Sequence, residues 1–299
     1  MKMVIAGASG YIGHALVTRA VAEGHDVLIL VRQWDDALAR YVAQSSYEGP
    51  LPAAYVNADA LINLAGRAHV RNASADFDSA NRRLPLTLAQ HVMGGDIGRL
   101  VHVSSLGVYG NWSSSPVSER TRPTPETPYA RSKLDGDQAL EVFFKPRPSA
   151  LTIVRPPMVF GPACPGNFAR LSRFILKGMP LPFGATHAKR SFIFVENLVD
   201  FLIQCSDISK PAGLYVIGDG SDYSVSELVG AIATVSGVHP VNFPFPPAII
   251  RTIACVVGMS RDGDSLTRPM VVDWDRARAS MQWHPPVPPE VAMRRSLIE

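Results

Sequence analysis

Tyr129 and Lys133 stand four residues apart in Tyr129-Ala130-Arg131-Ser132-Lys133. On a helix that spacing puts both side chains on one face. A phenol titrates near pH ~10, so alone it is a poor proton carrier at neutrality. A lysine ammonium beside it favours the phenolate and is expected to lower that value. The pair would then move a proton on and off a substrate oxygen, the work of a general acid–base catalyst. Two ordinary residues on a solvated helix face would look the same, so the surroundings decide. A possible partner comes earlier. Ser104-Ser105 follows the strand-like run Arg99-Leu100-Val101-His102-Val103. A hydroxyl at the C-terminal edge of a strand can hydrogen-bond a carbonyl or alkoxide; serines capping a turn are the alternative.

The elements that would position these groups start at the first residues. Lys2 to Ala6 is a short apolar run ending in Gly7-Ala8-Ser9-Gly10-Tyr11-Ile12-Gly13, an amphipathic stretch runs from Tyr11 to Glu23, and Val27 to Val31 reads as a second strand. Strand, glycine loop, helix, strand is the arrangement that holds a dinucleotide pyrophosphate on backbone amides. An acidic residue usually ends the second strand and binds the adenosine ribose. Here Val31 is followed by Arg32, which could pair with a 2′-phosphate or stack on adenine. The cofactor is therefore NAD(P), with a lean to NADP.

Gln33 to Asn57 is poorly patterned: a helix is expected around Asp36 to Ala43, with little room for a third strand. Ala60-Leu61-Ile62-Asn63-Leu64-Ala65-Gly66 reads as a buried strand whose small terminal residues would let a cofactor lie against the backbone. The loop after it carries His69, a substrate contact or simply a polar loop residue. A long helix holding Asn81 is expected from Asp76 to Met93, disturbed at Pro85. The helix of Tyr129 should begin after Pro128 and run to about Phe144, ahead of a strand at Leu151 to Val154.

Bulk properties exclude several classes. With 46% hydrophobic and 18% charged residues over 299 positions, the chain can bury a large core. A net charge of +3 without dense basic runs argues against nucleic acid as partner. Cys164, Cys205 and Cys255 are scattered and odd in number, which reads as reduced thiols and neither a disulfide frame nor a metal site. No signal-peptide pattern is seen and apolar runs such as Ile249 to Met259 are too short to span a bilayer, so no membrane insertion and a cytoplasmic location are expected.

With these residues placed, the chain resembles the extended short-chain dehydrogenase/reductase superfamily, in its nucleotide-sugar epimerase/dehydratase branch. The carriers are Gly7-Ala8-Ser9-Gly10-Tyr11-Ile12-Gly13, Asn63-Leu64-Ala65-Gly66, Ser104-Ser105 before Val108-Tyr109-Gly110, the Tyr129 to Lys133 segment, and Arg155-Pro156-Pro157-Met158-Val159-Phe160-Gly161-Pro162. The resemblance implies an α/β fold, a Rossmann-type doubly wound parallel sheet with a smaller C-terminal α/β substrate domain. Residues 1–162, with help from 190–217, would bind the cofactor, and 163–299 would mainly hold substrate. It makes Tyr129 the acid–base, Lys133 the holder of the nicotinamide ribose, and Ser105 the group that polarises the reacting oxygen, with Asn81 in support. It sets Gly7, Ser9, Gly10, Tyr11, Ile12, Gly13, Arg32, Leu64, Ala65, Gly66, Val103 and Pro156 against the cofactor. Sugar dehydratases of the branch carry Asp-Glu after the catalytic hydroxyl residue; Leu106 and Gly107 stand there and cannot do that chemistry. Met158 replaces an asparagine that contacts the sugar in many epimerases.

A narrower resemblance comes from Arg155-Pro156-Pro157, Gly166-Asn167-Phe168-Ala169-Arg170-Leu171, Met179-Pro180-Leu181-Pro182-Phe183-Gly184 and Lys189-Arg190-Ser191-Phe192. These look like the bacterial surface-polysaccharide enzymes that reduce UDP-4-keto-6-deoxy-N-acetylhexosamines at C4. The implied partner is a nucleotide-diphospho-sugar, a UDP-sugar first. Asn167, as helix N-cap, and Phe168 would pack on the nucleotide, Phe183 on the uracil, and Arg190 would pair with the diphosphate unless it is a surface ion pair. Arg261 and Arg268 are second-rank phosphate candidates. A helix over Pro246 to Met259 would cover the substrate domain, and Trp283-His284-Pro285 would close the fold. A homodimer through the helices of Asn81 and Tyr129 is also implied. The expected reaction is C4 reduction, with UDP-sugar 4-epimerisation as the alternative and a non-catalytic dinucleotide sensor as the distant one.

Overall fold

The chain is described by a computed structural model at residues 1–33, 42–47, 49–67, 76–256 and 258–297. Strands that read as continuous apolar runs are those buried on both faces of a parallel sheet. Five of them build the centre: β1 (Lys2–Ala6), β2 (Asp26–Val31), β4 (Ala58–Asn63), β5 (Ile97–Val103) and β6 (Leu151–Arg155). Edge strands β3 (Ala43–Ser46) and β9 (Gly213–Val216) complete an all-parallel seven-stranded sheet in the order β3-β2-β1-β4-β5-β6-β9. From β1 the chain first winds outward to β2 and β3, then returns to place β4 on the other side. That reversal opens a crevice at the C-terminal ends of β1 and β4, where ligands bind in open α/β sheets.

The expectation of little room for a third strand is corrected by β3, whose four residues pair with β2 from Leu28↔Ala43 to Val31↔Ser46. An edge strand half-open to solvent does not need the apolar run that marks a central one. Most of the helix expected at Asp36 to Ala43 lies outside the described residues, and Ala43 itself opens β3.

Helix α1 (Tyr11–Ala22) follows the glycine loop. A π-helical turn, Ser79–Arg83, leads into α2 (Leu84–Met93). Helical residues run without a break from Phe77 to Met93, and the π turn ends two residues before Pro85, which has no N–H to give; this turn is the disturbance expected there. Helix α3 (Pro128–Phe143) is started by Thr127, whose hydroxyl accepts the Ala130 N–H at 2.9 Å.

A second, three-stranded sheet has the order β10-β8-β7, from β7 (Met158–Phe160), β8 (Arg190–Phe194) and β10 (Ser221–Tyr223). Of residues 190–217, β8 therefore lies in the small sheet, while α5 (Val195–Ser206) packs on α1 and β9 joins the large sheet. Helix α4 (Asn167–Leu176) is capped by Gly166 at φ 91°, so the expected cap at Asn167 moves back one residue, to the one that tolerates a left-handed backbone. Ser224 and Glu227 form a reciprocal capping box on α6 (Val225–Ser236).

Helix α7 (Pro247–Val256) buries none of its residues and leans on α8 (Ser260–Thr267), with Val256 82% exposed, so it does not cover the substrate half as expected. After α9 (Asp275–Met281), Trp283 is fully buried against Phe201 and Trp274, and its Nε1–H donates to Asp200 at 2.8 Å. Helix α10 (Pro289–Leu297) ends the described chain. On the sheet edge away from the crevice, the buried Arg99 guanidinium donates to the carbonyls of Cys205, Asp207, Ile208 and Lys210 at 2.8–3.3 Å. It thereby ties the end of α5 to β5.

Candidate active site

The floor of the crevice is backbone. A Cβ on Gly7 would lie 2.5 Å from the Ala65 nitrogen, and one on Gly13 would lie 2.1 Å from the Gly7 oxygen. Only glycine fits either position, and the loop is thereby pressed against the end of β4. Helix α1 begins at Gly10 with no side-chain cap and no acidic residue in its first turn. Its orphan N–H groups and positive dipole end are left open to an anion.

Two cavities continue from that loop. One, of about 1060 Å³, is lined by Gly7, Ser9, Gly10, Arg32, Ala65 and Tyr47 among others. The other, of about 540 Å³, includes Tyr11, Ile12, Gly13, Val103, Ser105 and Pro156, and then Tyr129, Lys133, Asn167 and Arg190. Gly7, Gly10, Leu64 and Gly66 line both. Arg32, Arg67, Arg83, Lys133 and Arg190 contribute positive charge, and no carboxylate stands among the described lining residues. A dinucleotide fits this donor set: a glycine cradle and an open helix start for the pyrophosphate, and cations toward both ends.

Tyr129 and Lys133 reach the second cavity from the first two turns of α3. Lys133 is 3% exposed and donates to the Val103 carbonyl at 2.8 Å. Burial lowers its pKa to about 8, against the pull of Asp137. The Tyr129 phenol is pushed above its ordinary value by burial, with Ser105 acting the other way. The lowering expected from Lys133 is therefore overruled: desolvation of the phenolate wins. The two serines at the end of β5 part company. Ser104 is buried and donates to Asp137 Oδ2 at 2.7 Å, while Ser105 faces the cavity and accepts the Gly107 N–H at 3.1 Å.

Asn81 is fully buried behind this group. Its Oδ1 accepts the Arg67 N–H at 2.9 Å, and its Nδ2 donates to Ser132 Oγ at 2.8 Å. A Cβ on Gly136 would sit 2.1 Å from the Asn81 carbonyl oxygen, so glycine there allows α3 to lie directly on the π turn.

Arg190 is no surface ion pair. It donates to the carbonyls of Asn111 and Arg268 at 2.9 and 3.1 Å, and burial brings its pKa down to about 10. The remaining proposed contacts are scattered. Phe168 is buried on Phe160, and Phe183 is partly buried with its N–H on Asn242 Oδ1; neither lines these two cavities. Arg268 pairs with Asp264 at 3.0 Å over the Trp112 ring, and Arg261 offers its carbonyl to Asn111; both are outside the lining. His69 falls outside the described residues. Sequence reasoning missed Tyr47, 9% exposed beside the loop, and Asn111 in the second cavity. Tyr47 lies in an unpatterned stretch, whereas Asn111 directly follows the Val108-Tyr109-Gly110 motif and was within reach.

A doubly wound sheet whose switch point holds a glycine cradle, and beside it a serine, a tyrosine and a lysine, defines an enzyme of the extended short-chain dehydrogenase/reductase type. The chain belongs to the NAD dependent epimerase/dehydratase family, whose model matches residues 3–218. A UDP-glucose 4-epimerase of Vibrio cholerae is 29% identical over 302 residues, spanning 95% of this chain and 91% of the relative. An N-acetyl-α-D-glucosaminyl-diphospho-ditrans,octacis-undecaprenol 4-epimerase of Escherichia coli O157:H7 is 24% identical over 82% of the chain and 76% of the relative. Among solved structures, a UDP-glucuronic acid 4-epimerase from Bacillus cereus in complex with NAD superposes with a TM-score of 0.78 at 18% identity, covering 99% of this chain and 97% of that one. The protein is thus a nucleotide-sugar epimerase/dehydratase-type oxidoreductase.

Proposed function

We propose that the protein interconverts an alcohol and a ketone at C4 of a UDP-linked sugar, and that the net reaction is 4-epimerisation with retained NAD(P). The observation that carries this is the meeting of Ser105, Tyr129 and Lys133 in a cleft lined by arginines and by no described carboxylate. Such a cleft suits a ligand with two phosphates. The near full-length likeness to a UDP-glucose 4-epimerase supports epimerisation over the reduction expected from sequence.

The bound nicotinamide would accept and return a hydride. As the C4–H bond breaks, Tyr129 takes the O4 proton, and Ser105 donates a hydrogen bond to the same oxygen. Lys133 holds the nicotinamide ribose. The ketone would then turn over, so that the hydride returns to the opposite face of C4 while Tyr129 gives the proton back to O4. Arg190 and Asn167 hold the diphosphate and nucleotide while the sugar turns. Leu106 and Gly107 supply no second acid–base pair, so water is not eliminated.

A second reading keeps the reduction of a UDP-4-keto-6-deoxy-N-acetylhexosamine. Two observations favour it. Leu106, Gly107, Pro157 and Met158 form a largely apolar flank of the second cavity, suited to a C6 methyl group. Arg32 at the adenosine end suits NADP, whose reduced form is consumed in net reductions. One experiment separates the readings: UDP-hexoses and their 4-keto-6-deoxy derivatives are incubated with the enzyme and each nicotinamide cofactor. C4 inversion seen by NMR with constant nicotinamide absorbance is the expected result. Stoichiometric loss of NAD(P)H absorbance with a 4-keto sugar would replace it by the reductase reading, and no reaction with any UDP-sugar would sink both.

A further inference from the structure

Under the cleft lies a set of buried polar groups that the proposed reaction leaves unused. Asn63, His102 and Asp137 are fully buried, and Ser104 and Arg155 are 5% and 3% exposed. The hydrogen-bond chain fixes their protonation. The Ala65 N–H donates to Asn63 Oδ1 at 3.0 Å, which turns the amide Nδ2 toward His102. Asn63 Nδ2 and His102 Nδ1 are 3.0 Å apart, so the amide donates and Nδ1 accepts. A neutral imidazole that accepts at Nδ1 carries its proton on Nε2. Burial, with Lys133 and Arg155 nearby, keeps His102 neutral by holding it well below its ordinary value.

His102 Nε2 faces Asp137 Oδ1 at 3.6 Å, and neither atom has a hydrogen-bond partner. The other oxygen, Oδ2, accepts from Ser104 Oγ at 2.7 Å, Arg155 Nε at 3.0 Å and Arg155 Nη2 at 2.9 Å. Three donors on Oδ2, two of them from one guanidinium, suit an ionised carboxylate, which only accepts. Burial holds Asp137 above its ordinary value, although Arg155, Lys133 and Ser104 pull the other way.

Asp137 lies one helical turn beyond Lys133 and on the same face of α3. The ionisable groups around Lys133 are Tyr129 and Asp137 from its own helix, His102 from β5 and Arg155 from β6. Among these only Asp137 bears negative charge.

We propose that Asp137 is a positioning residue: its buried carboxylate, clamped by Arg155 and Ser104 on one oxygen and held one helical turn from Lys133, keeps the Lys133 ammonium charged at the cleft. The inference rests on Lys133 as the cation that holds the cofactor, and its test needs no turnover. In protein labelled with 13C-lysine, the ε-carbon shift of Lys133, assigned by its loss in Lys133→Arg, is followed against pH. Wild type should titrate near 8. Asp137→Asn should titrate about one pH unit lower or more, because the opposing charge is gone. NAD(P) binding in that variant should weaken at a pH where wild type still binds.

A midpoint unchanged within about 0.3 units in folded Asp137→Asn overturns the proposal, since a purely structural carboxylate would alter melting and leave the titration alone. Should that variant strand Arg155 and fail to fold, Asp137→Asn/Arg155→Leu is compared with Arg155→Leu, both lacking the guanidinium, and the double variant must titrate lower; an equal midpoint overturns the proposal. If Lys133 shifts as expected while no UDP-sugar turns over, the proposed reaction fails and the positioning of Lys133 stands.

Discussion

The proton carrier is a phenol whose pKa burial has raised, so at neutral pH Tyr129 rests in its O–H form. Replacing it by phenylalanine removes the exchangeable proton and little volume. Steady-state turnover in Tyr129→Phe should fall by roughly 10²–10⁴-fold, while fluorescence titration finds NAD(P) affinity nearly unchanged; retained turnover would remove Tyr129 from the chemistry. At the adenosine end, Arg32→Ala should weaken NADPH by about tenfold or more, the loss of a charge-assisted contact. NADH binding should barely change, and equal effects on both cofactors would refute a 2′-phosphate role. These residues were legible because their chemistry is local: four positions on a helix, or one position after a strand. Asp137 and His102 were not. Their contacts span 35 positions of chain, and no spacing rule brings a strand histidine to a helix aspartate.

Among the elements, what holds Tyr129 in place is the start of its helix. Thr127 gives α3 its only side-chain cap, so Thr127→Ala should destabilise the protein by about 1 kcal/mol in urea unfolding. Unchanged unfolding would mean that packing alone fixes the helix start. A harsher outcome is expected for Gly13→Ala, whose added methyl would meet the Gly7 carbonyl at 2.1 Å. Cofactor binding by calorimetry should be lost, because the loop cannot stay on β4; normal binding would show that the loop can shift. The central strands and α1 announced themselves by apolar runs and glycines. β3 did not, because an edge strand of Ala43, Gln44, Ser45 and Ser46 has no buried face to advertise. α7 misled in the opposite sense: an apolar run suggested cover for the substrate half, yet none of its residues is buried.

For the whole molecule, the buried polar set sets a limit in acid. His102 stays neutral in the fold, while in the unfolded chain it takes up a proton near pH ~6.5. Below that value the unfolded state binds the extra proton, so stability falls as pH falls. Urea midpoints measured from neutrality down to about pH 5 should therefore decline, and less steeply in His102→Gln; parallel curves would clear His102 of the effect. The Arg99 clamp has a different consequence. It gathers four carbonyls at the far edge of the sheet, well away from the cleft. Losing it would leave ligand affinity intact and release the segment after α5 to exchange its amide hydrogens. Tolerance to heat and preference for ligand can thus be altered at separate addresses in this molecule, one at each end of β5.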